Sequence, residues 1–165
     1  MNGKEALHAK TTLEYLVLVN EQSYSQIGRE LHITPQQFSD WIKKRRPIPK
    51  ERLLALSEYF QVGERCLVDE KNFARNLTEV TKIDIQMLLV KKIMEKGEED
   101  ISPYKEKLEK LEKEKAKQIR IGRLAAILHQ ENEEIDTMID AVLEQIESGN
   151  TARLNDIISE QKRGK

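Results

Sequence analysis

The chain has 165 residues, 38% of them hydrophobic and 35% charged, and its formal net charge at pH 7 is −1. This length allows one domain or a small domain with a long appendage, and the near-neutral charge argues against indiscriminate nucleic-acid binding by the whole surface. The sequence has neither a signal-peptide pattern nor an apolar run of about 18 residues, and its single cysteine, Cys66, excludes an internal disulfide. We therefore expect a cytoplasmic protein with no membrane contact, in which Cys66 is a small, partly buried apolar residue.

Apolar residues at helical spacing predict a first helix over residues 5–20, and Ser23 or Ser25 can cap a second one. A third short helix is predicted after a tight turn. Thr34 can accept a backbone N–H at its start, and Pro35 suits its first turn because that position has no intrahelical hydrogen bond to lose. We therefore expect the third helix to begin at or near Pro35.

The two helices around this turn carry the residue types that a close crossing requires. Gly28 is the small residue where the helices would cross, and Ile33 is the apolar residue after the turn. Phe38, Trp41 and Ile42 are spaced i, i+3 and i+4, so they share one face of the third helix. This pattern predicts that the third helix rests on its aromatic face and turns its amides and its basic end to solvent.

A broad apolar face predicts a fourth helix over residues 51–60, and a short turn or helix at 64–68 is expected to close the domain. About 60 residues is near the lower limit for an autonomous core, so association should help to stabilise it. Residues 69–76 are polar and are expected to begin a connection. The helix predicted over residues 77–94 is apolar on too many sides for a solvated helix, so it should bury two faces.

Ser102 and Pro103 open the longest uninterrupted helical pattern in the sequence. One helix could run from Pro103 to about Glu147, with Gly122 leaving a kink or a helical hairpin open, and a last helix would follow Gly149. Apolar spacings of three, four and seven predict a coiled coil or an antiparallel bundle. The side chains expected to make an oligomer interface are Leu124, Leu128, Ile135, Ile139, Val142 and Ile146. Oligomerisation is favoured over an effector pocket because the stretch has few aromatic residues and no convergent polar cluster.

The residues around the predicted turn match a known motif. The segment resembles the XRE family, whose helix-turn-helix domains are similar to phage lambda repressor and Cro. Five residues fall in the positions that define the motif in that family: Gly28, His32, Ile33, Phe38 and Trp41. The basic loop and core helix that follow are similar to the family too, so the resemblance covers roughly residues 8–69. Together with the remaining helical patterns it implies an all-α protein. The parts expected are an XRE-like, lambda-repressor-like helix-turn-helix DNA-binding domain at 1–69, a helical connector at 70–101, and a long-helix coiled-coil or helical-bundle oligomerisation region at 102–165.

One slot departs from the family pattern, because His32 stands where the turn usually has glycine. A left-handed backbone there costs a non-glycine residue about 1–2 kcal/mol, although histidine tolerates it better than most residues. We therefore expect His32 to adopt the left-handed conformation at some cost in stability.

The resemblance implies that the outer face of the third helix reads base edges in the DNA major groove. A glutamine amide suits this task because it donates and accepts at once, as the N6 and N7 atoms of adenine require. The side chains expected to read bases, or to lie beside the readers, are Thr34, Gln36, Gln37, Ser39, Asp40 and Lys43. Asp40 could accept from cytosine N4, or could repel phosphate and lower the affinity for wrong sites, and both roles stay open.

Positive charge clusters where this helix is predicted to end, since residues 25–52 hold seven basic side chains against three acidic ones. The side chains expected to contact phosphates and fix the register are Tyr24, Ser25, Gln26, Lys44, Arg45 and Arg46. The alternative is that the glutamines are ordinary surface amides and the basic run is a solvated loop. DNA contact is favoured because the core slots, the cap, the proline and the basic loop agree independently.

Other charged and ionisable residues give weaker signals. The mixed charges of residues 105–120 favour a solvated helix face with i to i+4 ion pairs over a second DNA contact. His8, His32 and His129 have no paired spacing for zinc, and no glycine-rich phosphate loop is present. The acidic run that begins at Glu131 is better explained as a helix surface than as a cation site. We therefore expect no enzymatic activity, no metal and no cofactor.

The resemblance implies a sequence-specific, double-stranded DNA-binding transcriptional regulator, in particular a repressor of a phage, plasmid or other mobile element. Its expected partners are duplex DNA with repeated half-sites and further copies of the same chain in a homodimer or tetramer, and a protein antirepressor or co-regulator can act on such a protein. The alternative is a DNA-tethered interaction protein, a partition adaptor or an antitoxin, whose C-terminal helices bind a different polypeptide.

Overall fold

Residues 9–97 and 100–163 are described by a computed structural model, with side chains as far as residue 160. The helices within them are α1 (Thr12–Val19), α2 (Tyr24–Leu31), α3 (Pro35–Ile42), α4 (Lys50–Phe60), α5 (Glu64–Leu67), α6 (Glu79–Lys96), α7 (Ser102–Leu128), α8 (Glu133–Glu147) and α9 (Ala152–Arg163). Extended pairing in these ranges is limited to isolated bridges, Thr11 with Asn76 and Val68 with Ala74. The all-α prediction is therefore confirmed. None of the described helices combines the length and the hydropathy that crossing a membrane requires.

Contacts between Cα atoms divide the chain into a first unit, residues 1–118, and a second unit, residues 119–165. The division falls inside α7, whereas the sequence predicts boundaries after residues 69 and 101. The difference arises because segments that the sequence assigns to a connection and a connector are built into the core of the first unit.

The core of the first unit is centred on Phe38 of α3. The centroid of its ring lies 5.3 Å from that of Tyr24 and 5.7 Å from that of Trp41. The large hydrophobic side chains that are fully buried with it are Leu13, Leu16, Val17, Ile27, Ile48, Leu56 and Leu67. Burying one such aliphatic side chain stabilises the fold by about 1.5–3 kcal/mol, so the position of α3 depends on side chains from α1, α2, α4 and α5.

Residues 68–77, which include the stretch 69–76 predicted to begin a connection, form a strap along α1. The amide of Thr12 donates to the carbonyl of Arg75 at 3.0 Å, and the amide of Leu77 donates to the carbonyl of Lys10 at 2.9 Å. The strap is followed by α6, whose buried side chains are Ile83, Ile85 and Val90. These contacts make α6 part of the first unit. Ile85 packs into the main core while Ile83 and Val90 lie on the opposite face of the helix, so α6 buries two faces, as the sequence predicts.

Side-chain caps explain where α1 and α3 begin. Thr11 accepts a hydrogen bond from the amide of Glu14, whereas the helix start predicted at residue 5 lies outside the described residues. Thr34 Oγ1 accepts from the amide of Gln37 at 3.2 Å, and Gln37 Oε1 accepts from the amide of Thr34 at 2.8 Å. This reciprocal pair is a capping box, and α3 begins at Pro35 as predicted.

The turn between α2 and α3 has the left-handed residue that the sequence predicts. His32 has φ 54° and ψ 42°, and its amide donates to the carbonyl of Gly28. Since an L-residue with a Cβ is strained in this region, the turn is held by the packing of the two helices around it.

Replacing His32 with glycine is expected to raise the melting temperature and to leave the predicted DNA binding intact, because glycine adopts this backbone without a steric cost of about 1 kcal/mol. Thermal unfolding followed by circular dichroism measures the change. His32→Ala is the control, since it keeps the Cβ and should not raise the melting temperature. A glycine variant that melts at or below the wild-type temperature would show that added freedom in the unfolded chain outweighs the relief of strain.

The second unit contains the end of α7 together with α8 and α9. The helix that could have continued to Glu147 ends at Leu128, and Glu131 turns the chain with φ 50°. The side chain of Asn132 then accepts from two amides in the first turn of α8. Gly122, where the sequence leaves a hairpin open, lies inside α7, so the interruption comes later than that residue.

Candidate nucleic-acid interface

The crossing of α2 and α3 fixes which face of α3 meets solvent. The amide of Ile33 donates to the carbonyl of Gly28 at 2.9 Å, and a Cβ on Gly28 would collide with the carbonyl oxygen of Ile33. Phe38 and Trp41, on the inner face of α3, are only 1% and 3% exposed. With the inner face held this closely, the opposite face of α3 is left on the surface.

The six side chains predicted to read bases or to lie beside the readers are all on α3 or at its ends. The exposed ones are Thr34, Gln36 and Lys43, and the half-buried ones are Gln37, Ser39 and Asp40. Thr34 and Gln37 bind each other's backbone in the capping box, so each already has a structural hydrogen bond. The Nε2 group of Gln37 is the part of that side chain which the capping box does not use.

Asp40 has internal partners that the sequence did not indicate. Gln36 Nε2 donates to its Oδ1 at 2.9 Å. Arg45 Nη1 lies 3.6 Å from Oδ1 and Arg46 Nε lies 3.9 Å from Oδ2, while the Asp40 side chain is only 14% exposed. Its carboxylate joins one predicted base reader to two predicted phosphate contacts. The contact with cytosine and the repulsion of phosphate both stay predictions.

The basic run begins at the end of α3 and stays on the surface. Lys43 is the C-terminal cap of α3, and Lys44 follows with φ 54°, its amide donating to the carbonyl of Trp41 at 2.9 Å. Arg45 and Arg46 are exposed, with 59% and 79% of their side-chain surface accessible. The left-handed turn at Lys44 is what brings both guanidinium groups back toward the helix end.

The other predicted phosphate contacts lie in the first turn of α2, where Ser25 and Gln26 are exposed and Ser23 provides the cap. The amide of Gln26 already donates to Ser23 Oγ at 3.2 Å, and this first turn forms the positive end of the helix dipole, which favours an anion. Burial beside Phe38, together with the nearby carboxylate of Glu14, raises the pKa of the Tyr24 hydroxyl to about 12. The Tyr24 hydroxyl is therefore protonated at neutral pH and can donate to a phosphate oxygen.

Lys44 also lines two clefts that sequence reasoning missed. One, of about 490 Å³, has Lys10 on its wall, and the other, of about 630 Å³, has Lys71. Asp69 and Glu70 line the second cleft as well, so its charge is mixed. Lys71 belongs to the strap, and Lys10 precedes α1 and accepts a hydrogen bond from Leu77 at the end of the strap. No signal in the sequence could have placed these lysines in clefts with Lys44, because the course of the strap is set by tertiary hydrogen bonds.

The charged stretch in the first part of α7 is occupied by ion pairs. Lys110 lies 2.7 Å from Glu106, and Lys117 lies 3.5 Å from Glu114. The third pair links two helices of the first unit, since Lys115 of α7 contacts Asp84 of α6 at 2.6 Å. This pattern matches the solvated, ion-paired face that the sequence favours over a second DNA contact.

A large apolar surface is present in the second unit, where no side chain of α8 is buried. Of the six predicted interface residues, the exposed ones are Leu124, Leu128, Val142 and Ile146, and the half-buried ones are Ile135 and Ile139. A groove of about 300 Å³ runs between the end of α7 and α8. Its lining is apolar and consists of Leu124, Ile127, Ile135, Met138, Ile139, Val142 and Leu143.

In the described part of the chain, no three His, Cys, Asp or Glu residues are placed to hold a metal ion. Cys66 is exposed, which corrects the expectation that it is partly buried. The reason is its position on α5, where the adjacent Leu67 takes the buried side of the helix. His32 and His129 are exposed, and His8 lies outside the described residues.

Comparisons with known proteins found no match to this chain among protein-family models, curated proteins or solved structures. The functional interpretation therefore depends on the residues and their geometry.

Proposed function

We propose that this chain is a sequence-specific, double-stranded DNA-binding transcriptional regulator, a repressor of a phage, plasmid or other mobile element, which binds repeated operator half-sites as a homo-oligomer. The observation that carries the proposal is the outer face of α3. This face presents Gln36 to solvent and is followed by a cluster of cationic side chains. The opposite face of α3 packs into the core through the buried rings of Phe38 and Trp41.

This face has the two kinds of group that specific DNA binding requires. The amide of Gln36 can match the donor and acceptor of adenine in the major groove, which is wide enough to admit an α-helix. Arg45, Arg46 and the exposed first turn of α2 supply cations and amides for phosphates on the groove edges. In the proposed complex α3 enters the groove while the end of α3 and the start of α2 rest on the backbone.

A second copy of the chain is the occupant we propose for the apolar groove of the second unit. Exposed apolar side chains along α7 and α8 leave that unit with little core of its own, and residues 119–165 are close to the length below which domains usually need association. The charges favour a dimer in which α8 of one copy packs on α7 of the other. The α8 helix has six acidic and no basic residues, whereas the end of α7 has Arg120 and Arg123. Packing α8 on the partner's α7 therefore avoids contact between like charges.

Two readers joined in this way would bind an inverted repeat whose half-sites lie about 34 Å apart, one turn of DNA. The phosphate and base contacts of both DNA-binding domains then form in a single binding event. This raises the affinity for a paired site by about 10²–10⁴-fold over that for a single half-site. Occupation of such a site at a promoter excludes polymerase, which is the simplest route to repression. Light scattering that finds a monomer would instead favour the alternative, in which the groove binds a different polypeptide.

Replacing Gln36 with alanine tests base reading against phosphate contact. Full-length protein first selects preferred duplexes from a random pool. Gln36→Ala is then expected to weaken binding to the selected duplex by about 1–3 kcal/mol and to leave binding to random duplex nearly unchanged.

Arg46→Ala is the matched comparison, because Arg46 is expected to contact phosphate alone. It should weaken binding to both duplexes by similar factors and lower the slope of log affinity against log salt concentration by about one unit. Equal losses on both duplexes for Gln36→Ala would remove the base-reading role. Failure of the wild-type protein to select any duplex would overturn the proposed function itself.

A further inference from the structure

The hydrogen bond between Gln36 and Asp40 joins two side chains one turn apart on the outer face of α3. Gln36 is exposed, but the Asp40 carboxylate is mostly covered. Gln36 Nε2 and Arg45 Nη1 lie 2.9 and 3.6 Å from its Oδ1, and Arg46 Nε lies 3.9 Å from its Oδ2. Asp40 is therefore poorly placed to meet a base edge itself and well placed to act on its neighbours.

This hydrogen bond fixes which end of the Gln36 amide faces Asp40. An ionised carboxylate only accepts hydrogen bonds, so the amide must turn its nitrogen toward Asp40 and its oxygen away. The atoms left for another partner are Oε1, as an acceptor, and the second hydrogen on Nε2, as a donor. Without the carboxylate the amide could rotate by half a turn and offer its hydrogens in a different direction.

The outward pattern of one acceptor and one donor distinguishes purines. Adenine presents the N6 donor and the N7 acceptor in the major groove, whereas guanine presents two acceptors, O6 and N7. A Gln36 amide held by Asp40 complements adenine, but its Oε1 would meet the O6 of guanine, acceptor against acceptor. We propose that Asp40 is a positioning residue that orients Gln36 and so makes the helix select adenine over guanine at one base pair, an inference that rests on the proposed function.

Asp40 also acts on the cations at the end of α3. Its negative charge lies within 4 Å of two guanidinium groups and offsets part of their attraction for any phosphate. This attraction is independent of sequence, so a carboxylate here lowers non-specific affinity. One residue therefore sharpens the choice of base and weakens binding to the wrong DNA.

Asp40→Asn tests both effects in the full-length chain, with a selected duplex and its variant in which the adenine read by Gln36 is replaced by guanine. The base pair is identified as the position at which the wild-type protein prefers adenine and the Gln36→Ala variant no longer does. An asparagine amide can also donate to Gln36 Oε1 and so permits the reversed orientation. The ratio of adenine to guanine affinities is expected to fall about tenfold, the size of effect that one bidentate base contact supports. Affinity for random duplex is expected to rise.

Glu58→Gln is the charge-matched control, since Glu58 is exposed on α4 and its replacement removes one negative charge away from Gln36. It should leave the adenine to guanine ratio unchanged. In a Gln36→Ala background, Asp40→Asn should no longer alter the ratio, because the residue acts through Gln36. A general loss of stability would not produce this dependence.

Asp40→Ala provides a second variant that frees the Gln36 amide and suits a helix, in case the asparagine variant does not fold. An unchanged adenine to guanine ratio in a folded Asp40 variant would overturn the inference and leave the proposed function standing. Absence of any preferred duplex for the wild-type protein would overturn both.

Discussion

Gly28→Ala is expected to lower the free energy of unfolding of the first unit by about 2–3 kcal/mol and to abolish the proposed DNA binding at ordinary temperature. The added Cβ would collide with the carbonyl oxygen of Ile33, which is a backbone atom and cannot rotate away as a side chain can. Relief requires α2 and α3 to separate, and the packing of Phe38 and Trp41 would be lost with it. Urea denaturation followed by the fluorescence of Trp41, the one tryptophan in the chain, reports this transition.

Gly122→Ala is the matched control, because Gly122 also lies within a helix and a Cβ there would meet nothing within 4 Å. Alanine exceeds glycine in helix propensity by about 1 kcal/mol, so this variant should gain helix stability, which far-UV circular dichroism can follow. The two substitutions are chemically identical and are expected to have opposite signs. A stabilising effect of Gly28→Ala would show that the crossing is not close.

Val142→Asp is expected to convert the proposed oligomer into a monomer and to reduce the affinity for the proposed two-half-site operator by at least about 100-fold. Val142 lines the apolar groove of the second unit and is 40% exposed in the isolated chain. Its burial against a second copy would place the introduced carboxylate in an apolar interface without a partner, which costs several kcal/mol. Light scattering gives the mass, and titration of duplexes with one or two half-sites gives the affinity.

Thr137→Asp controls for the added charge, because Thr137 is exposed on α8 and is not part of the groove lining. It should leave both the mass and the operator affinity close to the wild-type values. An unchanged oligomer mass for Val142→Asp would exclude the groove as the interface. A monomeric mass for Val142→Asp together with an unchanged operator affinity would mean that the DNA-binding domains bind their half-sites independently.

The features of α3 that could be predicted from sequence depend on partners only a few residues away. Thr34 and Pro35 set the start of the helix, and His32 is left-handed because the chain must reverse between two short helices. Gly28 is small because the turn brings the carbonyl of Ile33 against it. Each of these follows from local geometry, which is why spacing in the sequence was enough.

At the interruption between α7 and α8, the sequence contains a helix-capping signal that the continuous apolar spacing obscures. Asn132 is a favourable helix cap and is followed by acidic residues that suit the first turn of α8. The apolar spacing continues across this point, from Leu128 to Ile135, and therefore also fits a single helix. Periodicity reports which residues share a face but not whether the chain between them is continuous.

The amino-acid sequence alone determined the all-helical class, the cap and turn of the α2–α3 pair, and the exposed position of Gln36. Only the tertiary structure decided that α6 joins the first core after the strap, that Lys71 lines a cleft together with Lys44, and that the carboxylate of Asp40 is turned toward Gln36 and the arginines. The physical reason is the separation along the chain of the residues that interact. Hydrogen bonds and steric limits within a turn of helix are encoded by neighbouring residues, whereas the meeting of distant segments depends on how the whole core packs.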